Sequence, residues 1–339
     1  MKRISILLCL AVFVLVQTLV FAGGTKESAP PKADKIVIKL GHGHTATHSY
    51  QLGMTEAKKY LEEKSGGRIT IQFFPSNQLG DERHMQEALS AGTLEMTITG
   101  LANLFDPAFA LFDFPFQYDN RKQIKNVMYS SLMEEMNENV IKKGARIVGL
   151  MEVGFRMVTS KKPIRKPEDL KGFKIRTPEN PAQIETFKAL GALPTPMPFG
   201  ELYAALQQGV VDGQENPLEN IYNGKLFEVQ KYVNQTRHIY NFAYIFYSES
   251  LWKKLSPADQ KLLKEAVKFG SFWQIDWAEQ NESKYASMLK EKGMEFIDVD
   301  RDAFRKGAMA AYESKFVKDL EPRASKILSE IRRIVQETK

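Results

Sequence analysis

PTPMPFGELYAALQQGVVDGQENP, residues 194–217, places two loops and one short helix in an order that builds a wall of a pocket. Pro194, Pro196 and Pro198 lack backbone donors and restrict φ ahead of Phe199. The spacing of Leu202, Ala205 and Leu206 predicts a helix over 201–208, closed by Gly209. Val210 and Val211 then open a strand that runs into Asp212, Gly213, Gln214, Glu215 and Asn216, five residues poorly suited to a core. Polar groups at the C-terminal end of a strand lie where open α/β sheets bind ligands.

Outward from this segment, strands and helices alternate. Residues 36–42 read as a strand, 49–65 as a helix stopped by Gly66 and Gly67, and 68–74 as a strand. A helix over 80–91 ends at Gly92, and 94–100 is the next strand. Such alternation predicts an α/β fold with mainly parallel pairing. ALSAGTLEM (88–96) echoes ALQQGVVDG (205–213), which fits two similar lobes offering strand-end loops to a shared cleft. Residues 149–180 form a crossover between the lobes, and the apolar strand 242–247 returns the chain to the first lobe, so that two crossings make a hinge. Ser256, Pro257 and Asp259 start a helix with no clear stop before Gly293, about 35 residues and about 50 Å long. Such a helix spans both lobes, with Gly270 a place for it to bend or split. A strand over 294–300 and helices over 304–320 and 323–336 close the chain, the last with a buried stripe of Ile327, Leu328, Ile331, Ile334 and Val335. The expected organisation is a signal peptide over 1–22, a flexible leader over 23–34, lobe I over 35–153 with 243–282, and lobe II over 154–242 with 283–339.

The length of 339 residues suits about two domains. Lys2 and Arg3 precede an apolar run ending in small residues at Ala22 and Gly23, the pattern of a cleaved secretory signal. Cys9 is the only cysteine and lies inside that run, so the mature chain relies on an ordinary core rather than on disulfides. Removing Lys2 and Arg3 leaves 45 basic against 41 acidic residues, a formal +4 that gives no reason to expect nucleic acid.

Arg176 ends the strand Phe173-Lys174-Ile175, and Arg156 follows Gly154 and Phe155 before another strand. An arginine at a strand end beside a cleft suits a carboxylate, which its planar fork grips through two parallel hydrogen bonds. Asn216 adds a donor and an acceptor. His42, His44 and His48 have an H-x-H-x3-H spacing, but without further ligands a metal is not expected there, and no cofactor motif occurs. Glu201, Asp212 and Glu215 are explained by capping and solvation rather than catalysis. A periplasmic metal-dependent enzyme acting on an organic acid, and a ligand-presenting partner of a membrane sensor, are the alternative functions.

KIRTPEN (174–180), followed by PTPMPF, ELYAALQQG and VDGQENP, resembles the DctP-type solute-binding proteins of TRAP transporters, as do FPSNQLGDERHM (74–85), GFR (154–156) and FEVQKY (227–232). The resemblance implies a monomeric, two-lobed periplasmic-binding-protein-like α/β fold, with a mixed sheet in each lobe and a long helix spanning both. It further implies capture of a small organic acid and its delivery, by lobe closure, to an ion-gradient-driven permease. On the matching positions, Arg176 is the principal carboxylate anchor, Arg156 a second arginine near the ligand, Asn216 a contact to the acid group and Phe199 an aromatic wall. His42, His44, Asn103 and Asn241 complete the candidate ligand-binding set. LANLFDP (101–107) has no arginine of the kind found in sialate-binding members, and Glu152 and Val153 stand where many relatives have an aromatic or asparagine. A C4-dicarboxylate-like acid is slightly favoured over the sugar acids, whose binders share nearly all of these motifs.

Overall fold

The computed structural model describes residues 34–338. The expected signal peptide, and the leader up to residue 33, lie outside the described residues. Strands run β1 Ile36–His42, β2 Ile69–Phe74, β3 Met96–Thr99, β4 Ala145–Phe155, β5 Met157–Ser160, β6 Lys174–Thr177, β7 Leu193–Pro196, β8 Gly213–Asn216, β9 Tyr232–Asn234, β10 Tyr240–Ser248 and β11 Glu295–Ile297. Helices run α1 Ser49–Ser65, α2 Glu82–Ala91, α3 Arg121–Met128, α4 Ser131–Ile141, α5 Pro181–Ala189, α6 Leu202–Gln207, α7 Leu218–Asn223, α8 Glu249–Trp252, α9 Pro257–Glu291, α10 Arg301–Ala308, α11 Lys315–Asp319 and α12 Arg323–Glu337.

The strands form two sheets, one ordered β2-β1-β3-β10-β4 and the other β11-β9-β5-β8-β6-β7. Both are mixed. In the first, β10 runs antiparallel to β3 and β4 while β1 pairs in parallel with β2 and β3. In the second, β5 runs antiparallel to β8 and β9 while β6 pairs in parallel with β7 and β8. The fold is therefore the expected two-lobed α/β arrangement. The chain leaves the first sheet at Arg156, between β4 and β5, and returns between β9 and β10. The Arg156 N–H donates to the Ile239 carbonyl at 2.9 Å, tying the two passages side by side.

The third passage is α9, 35 residues long and unbroken. Gly270 does not bend or split it, contrary to the sequence expectation. A Cβ at Gly270 would stand 2.4 Å from the Gly53 carbonyl oxygen, and one at Gly53 would stand 2.8 Å from the Gly270 carbonyl oxygen. The two glycines let the backbones of α1 and α9 touch, an approach that side chains would prevent.

The two halves of the internal echo share a cap. Gly92 and Gly209 lie in the left-handed region, at φ 74° and 72°. In each, the next two N–H groups donate to one carbonyl, Thr93 and Leu94 to Ala88, Val210 and Val211 to Ala205. Beyond the caps they diverge. Val210 and Val211 lie in a bend, Val210 is 52% exposed, and β8 begins only at Gly213. Asp212 is exposed, but Gln214, Glu215 and Asn216, also expected to suit solvent, are buried, because β8 lies inside the second sheet between β5 and β6.

The predicted helix over 304–320 is broken. After α10 come a 3₁₀ turn, Met309–Glu313, and then α11, which starts afresh because Ser314 is extended and its hydroxyl accepts from the Val317 N–H. Ile327, Leu328, Ile331 and Ile334 are buried as expected on α12. That helix packs on the 3₁₀ segment Pro107–Asp113 and on α3, with Arg323 paired to Asp106 and Asn126 Nδ2 donating to Thr338 Oγ1 at 2.9 Å. The C-terminal helix assigned from sequence to lobe II thus rests on a segment assigned to lobe I.

Candidate functional site

In both sheets the order reverses beside a central parallel strand, β1 between β2 and β3, β6 between β7 and β8. Loops leaving the C-terminal ends of such strands diverge and open a crevice. Here the loops after β1, β3, β6, β7 and β8 converge on one cavity, the kind of crevice in which α/β proteins take small ligands. Among the residues expected from sequence, His44, Arg156, Arg176, Phe199, Asn216 and Asn241 line it. His42 and Asn103 do not. The alternation that would place His42 with His44 requires an extended chain, and β1 ends at His42. His42 is buried against Gln51, its Nε2 3.0 Å from Oε1, and burial holds its pKa down at about 4. Asn103 instead bridges two loops, donating Nδ2 to the Glu179 carbonyl at 3.0 Å. Among the described residues, no group of three or more His, Cys, Asp or Glu is placed to hold a metal ion.

The two arginines differ in their electrostatics. Arg156 pairs with Glu215 through Nε and through Nη2, the latter at 2.7 Å from Oε1. Its Nη2 also donates to the Glu215 carbonyl at 2.6 Å and to Asn216 Oδ1 at 3.3 Å. Burial pushes the Glu215 carboxyl up, but the Arg156 charge and a hydrogen bond from His238 outweigh this and keep it below its ordinary value. The Arg156 charge is thus cancelled in place.

Arg176 has no such partner among the described residues. Its Nε and Nη2 both donate to the Met197 carbonyl, at 3.0 and 2.7 Å, and its guanidinium carbon lies 5.9 Å from the centre of the Phe199 ring. Only 2% of the residue is exposed. Burial, and then the positive charge of Arg156, lower its pKa to about 10, so it is still charged at neutral pH. Burial shifts the nearby Glu82 carboxyl upward, and Thr99 Oγ1 donates to it. His44 stacks on His48 with ring centres 4.0 Å apart, and burial followed by the surrounding charges keeps it neutral.

The rest of the lining is uncharged, with apolar Leu101, Val153 and Pro178 beside polar amides and a tyrosine. Tyr50, Asn180, Gln183 and Asn220 were not singled out from sequence. Asn180 lies within the KIRTPEN motif and Asn220 four residues after Asn216; Tyr50 and Gln183 carry no motif. Asn216 is fixed by a directed series of hydrogen bonds. The Tyr50 N–H donates to His48 Nδ1, so Nε2 carries the proton and donates to Asn220 Oδ1 at 2.9 Å. Asn220 Nδ2 donates to Asn216 Oδ1 at 3.1 Å, and Asn216 Nδ2 to Gln214 Oε1.

Behind the cavity lies Asp113, at the end of the 3₁₀ segment. Burial raises its pKa to about 7, against hydrogen bonds from Asn241 and Asn180 that favour the charged form. An unfolded aspartate titrates near 4, so between about pH 4 and 7 the folded state holds a proton that the unfolded state lacks. Through this group, stability falls as pH rises across that window. Asp113→Asn removes the titration, so the melting temperature of the variant minus that of the wild type is expected to climb from pH 4 to pH 8. A difference independent of pH would show that Asp113 does not titrate there.

The sequence profile described as bacterial extracellular solute-binding protein, family 7, matches residues 40–319. The chain is 30% identical over 298 residues to the 2,3-diketo-L-gulonate-binding periplasmic protein of Escherichia coli, covering 87% of this chain and 90% of that one. Among solved structures it is similar to a TRAP periplasmic solute-binding protein of Roseobacter denitrificans with bound L-galactonate, at 33% identity and a TM-score of 0.82, covering 87% and 99% of the two chains. A TRAP periplasmic solute-binding protein of Polaromonas bound to D-erythronate is similar at 32% identity and a TM-score of 0.83, over 88% and 98%.

Proposed function

Because this chain belongs to family 7 of the bacterial extracellular solute-binding proteins, a family of receptors rather than enzymes, we propose that it captures a monoanionic sugar acid, an aldonate foremost, for delivery to a TRAP permease. The observation that carries this reading is the single uncancelled guanidinium in the cavity. Arg176 is buried and has no acidic partner among the described residues, whereas Arg156 is already neutralised by Glu215. One carboxylate therefore completes the charge, and a second would enter a low-dielectric site without a cation to meet it. The C4-dicarboxylate slightly favoured on sequence grounds needs that second cation. Neutral amides, a neutral imidazole and a tyrosine around the remainder suit hydroxyl groups, which both donate and accept. The sugar acids bound by the solved relatives fit this division of the cavity.

Arg176 is the anchor in this reading, with Phe199 beside its guanidinium and Asn216 held in a fixed orientation by Asn220 and Gln214. Arg156 supports Asn216 rather than reaching the ligand with a free charge. His44 and Asn241 face the hydroxylated part. His42 and Asn103 act from behind, the first by packing, the second by joining the loop after β3 to the loop after β6.

Closure of the lobes is the proposed delivery signal. The bonds from Thr47 to Asn223, His48 to Asn220 and Ser49 to Glu219 join the loop after β1 to α7, and they support a closed arrangement. The moving bodies proposed are those read from the sequence, with α12 carried by lobe I on account of its packing. Residues 1–22 are proposed to direct export to the periplasm and to be cleaved. Calorimetric titration with L-galactonate, D-erythronate, D-galacturonate, succinate and L-malate tests the ligand class. Micromolar or tighter binding of an aldonate, about 8 kcal/mol or more, is expected. Tight binding of succinate or malate with none of the sugar acids would overturn the reading.

A further inference from the structure

Asn241 Oδ1 is buried and has no hydrogen-bond partner among the described residues, although the residue lines the cavity. Its orientation is set from behind. Asn241 Nδ2 donates to Asp113 Oδ1 at 2.5 Å, and Asn180 Nδ2 donates to Asp113 Oδ2 at 2.7 Å. An ionised carboxylate only accepts, so both amides must turn their nitrogens towards it and their oxygens away. The two amides are not equally free to do otherwise. Asn180 Oδ1 caps α5 by accepting the Ala182 N–H at 2.9 Å, so its direction is fixed twice. Asn241 sits at a register shift between β10 and β4, where a bulge re-aims the side chain, and only Asp113 decides which end faces the cavity.

We propose that Asp113, which lines no part of the cavity itself, is a specificity-determining positioning residue: it holds Asn241 with its carbonyl oxygen towards the ligand, so that this wall demands a hydroxyl donor and rejects a second carboxylate. The inference rests on the sugar-acid reading and deepens it, because it assigns the second half of the cavity a chemistry that Arg176 does not supply. A hydroxyl meeting Asn241 Oδ1 gains a hydrogen bond in a site closed to water. A carboxylate there would set oxygen against oxygen, an unpaired charge beside an unsatisfied acceptor.

Asp113→Asn keeps the shape and changes the logic. The new amide offers one oxygen and one NH₂ group. Asn180 remains a donor because its oxygen is held by Ala182, so it takes the new oxygen. The new NH₂ group then donates to Asn241, which turns over and presents its own NH₂ group to the cavity. An acceptor wall becomes a donor wall, without any change in the residues that line it.

The test is calorimetric titration at pH 8, where Asp113 is ionised, of the wild type and Asp113→Asn with L-galactonate and with galactarate. Galactarate is the six-carbon acid in which both ends are carboxylates. The galactonate-to-galactarate affinity ratio is expected to fall at least about tenfold in Asp113→Asn, and Asp113→Asn is expected to leave that ratio unchanged in an Asn241→Ala background. Equal weakening of both ligands, or the same change of ratio without Asn241, would mean that Asp113 only supports the structure, and would overturn the proposal. The side-chain amide NMR signal of Asn241, assigned by its loss in Asn241→Ala, gives a readout that needs no ligand and is expected to move in Asp113→Asn. If the wild type bound no sugar acid, the functional reading would fall while this signal still judged the orientation, and a signal unmoved by Asp113→Asn would overturn the positioning role.

Discussion

Arg176→Ala is expected to reduce affinity for the cognate acid by on the order of 2–5 kcal/mol, roughly thirtyfold to several thousandfold, while leaving the free protein as stable as the wild type or more so. The two effects separate because the residue is charged, buried and unpaired by any acid of the chain among the described residues. In the free protein its desolvation is offset only by the Met197 carbonyl and by more distant acids, and its lowered pKa reflects this imbalance. In the proposed scheme the ligand carboxylate is the group that completes it. Removing the side chain therefore removes a cost from the free state and most of the gain from the bound state, the exchange of stability for function common at binding sites. Arg176→Lys keeps the charge but loses the planar fork, and an intermediate affinity is expected. Calorimetry for binding and thermal unfolding of the free protein read the two quantities separately. Binding by Arg176→Ala as tight as that of the wild type would remove the anchor from the scheme.

Glu215→Gln is expected to do the opposite, lowering stability by about 3–5 kcal/mol, because it leaves Arg156 buried without its counter-charge. His238 and Arg156 are also left to share one acceptor oxygen in place of two. If the variant folds, its cavity carries two uncancelled guanidinium groups, and diacids should gain affinity relative to monoacids. Denaturant unfolding gives the first quantity and competition between galactarate and galactonate the second. Unchanged stability would mean that solvent or a neighbouring group neutralises Arg156 in place of Glu215.

The fold was legible in this chain wherever local rules and tertiary packing agree. Alternating strands and helices, the Gly92 and Gly209 caps and the Ser256 start are local signals, and each is realised. Val210 and Val211 misled because β-branched residues favour strands only where a neighbour pairs with them, and the chain reaches its neighbours at Gly213. Gln214, Glu215 and Asn216 misled for the complementary reason. Polar residues are admitted to the middle of a sheet when they find partners, and two of these, Thr159 and Arg156, come from distant segments, while Asn220 comes from the helix that follows. Gly270 looks like a weak point in a long helix, and only the opposing Gly53 shows it to be a contact. In the cavity, strand-end arginines were recognisable from their position. That one is cancelled and the other bare depends on Glu215, a residue whose burial no local pattern reveals. Asp113 was invisible for the same reason, since it acts through side chains 67 and 128 residues further along the chain.

The glycine contact between α1 and α9 has a mechanical consequence. In the proposed closure, backbones in direct contact would act as a fulcrum, because only small groups such as the Ala57 methyl stand at the crossing. Beyond Gly270 the helix extends 21 residues to Glu291, an arm of about 31 Å. A turn of about 10° of this arm about the fulcrum would carry its far end about 5 Å, at the end that leads into β11 of the second sheet. In the proposed closure the stroke would be set by where along the helix the two glycines meet, and the ligand would need to supply only a small angle.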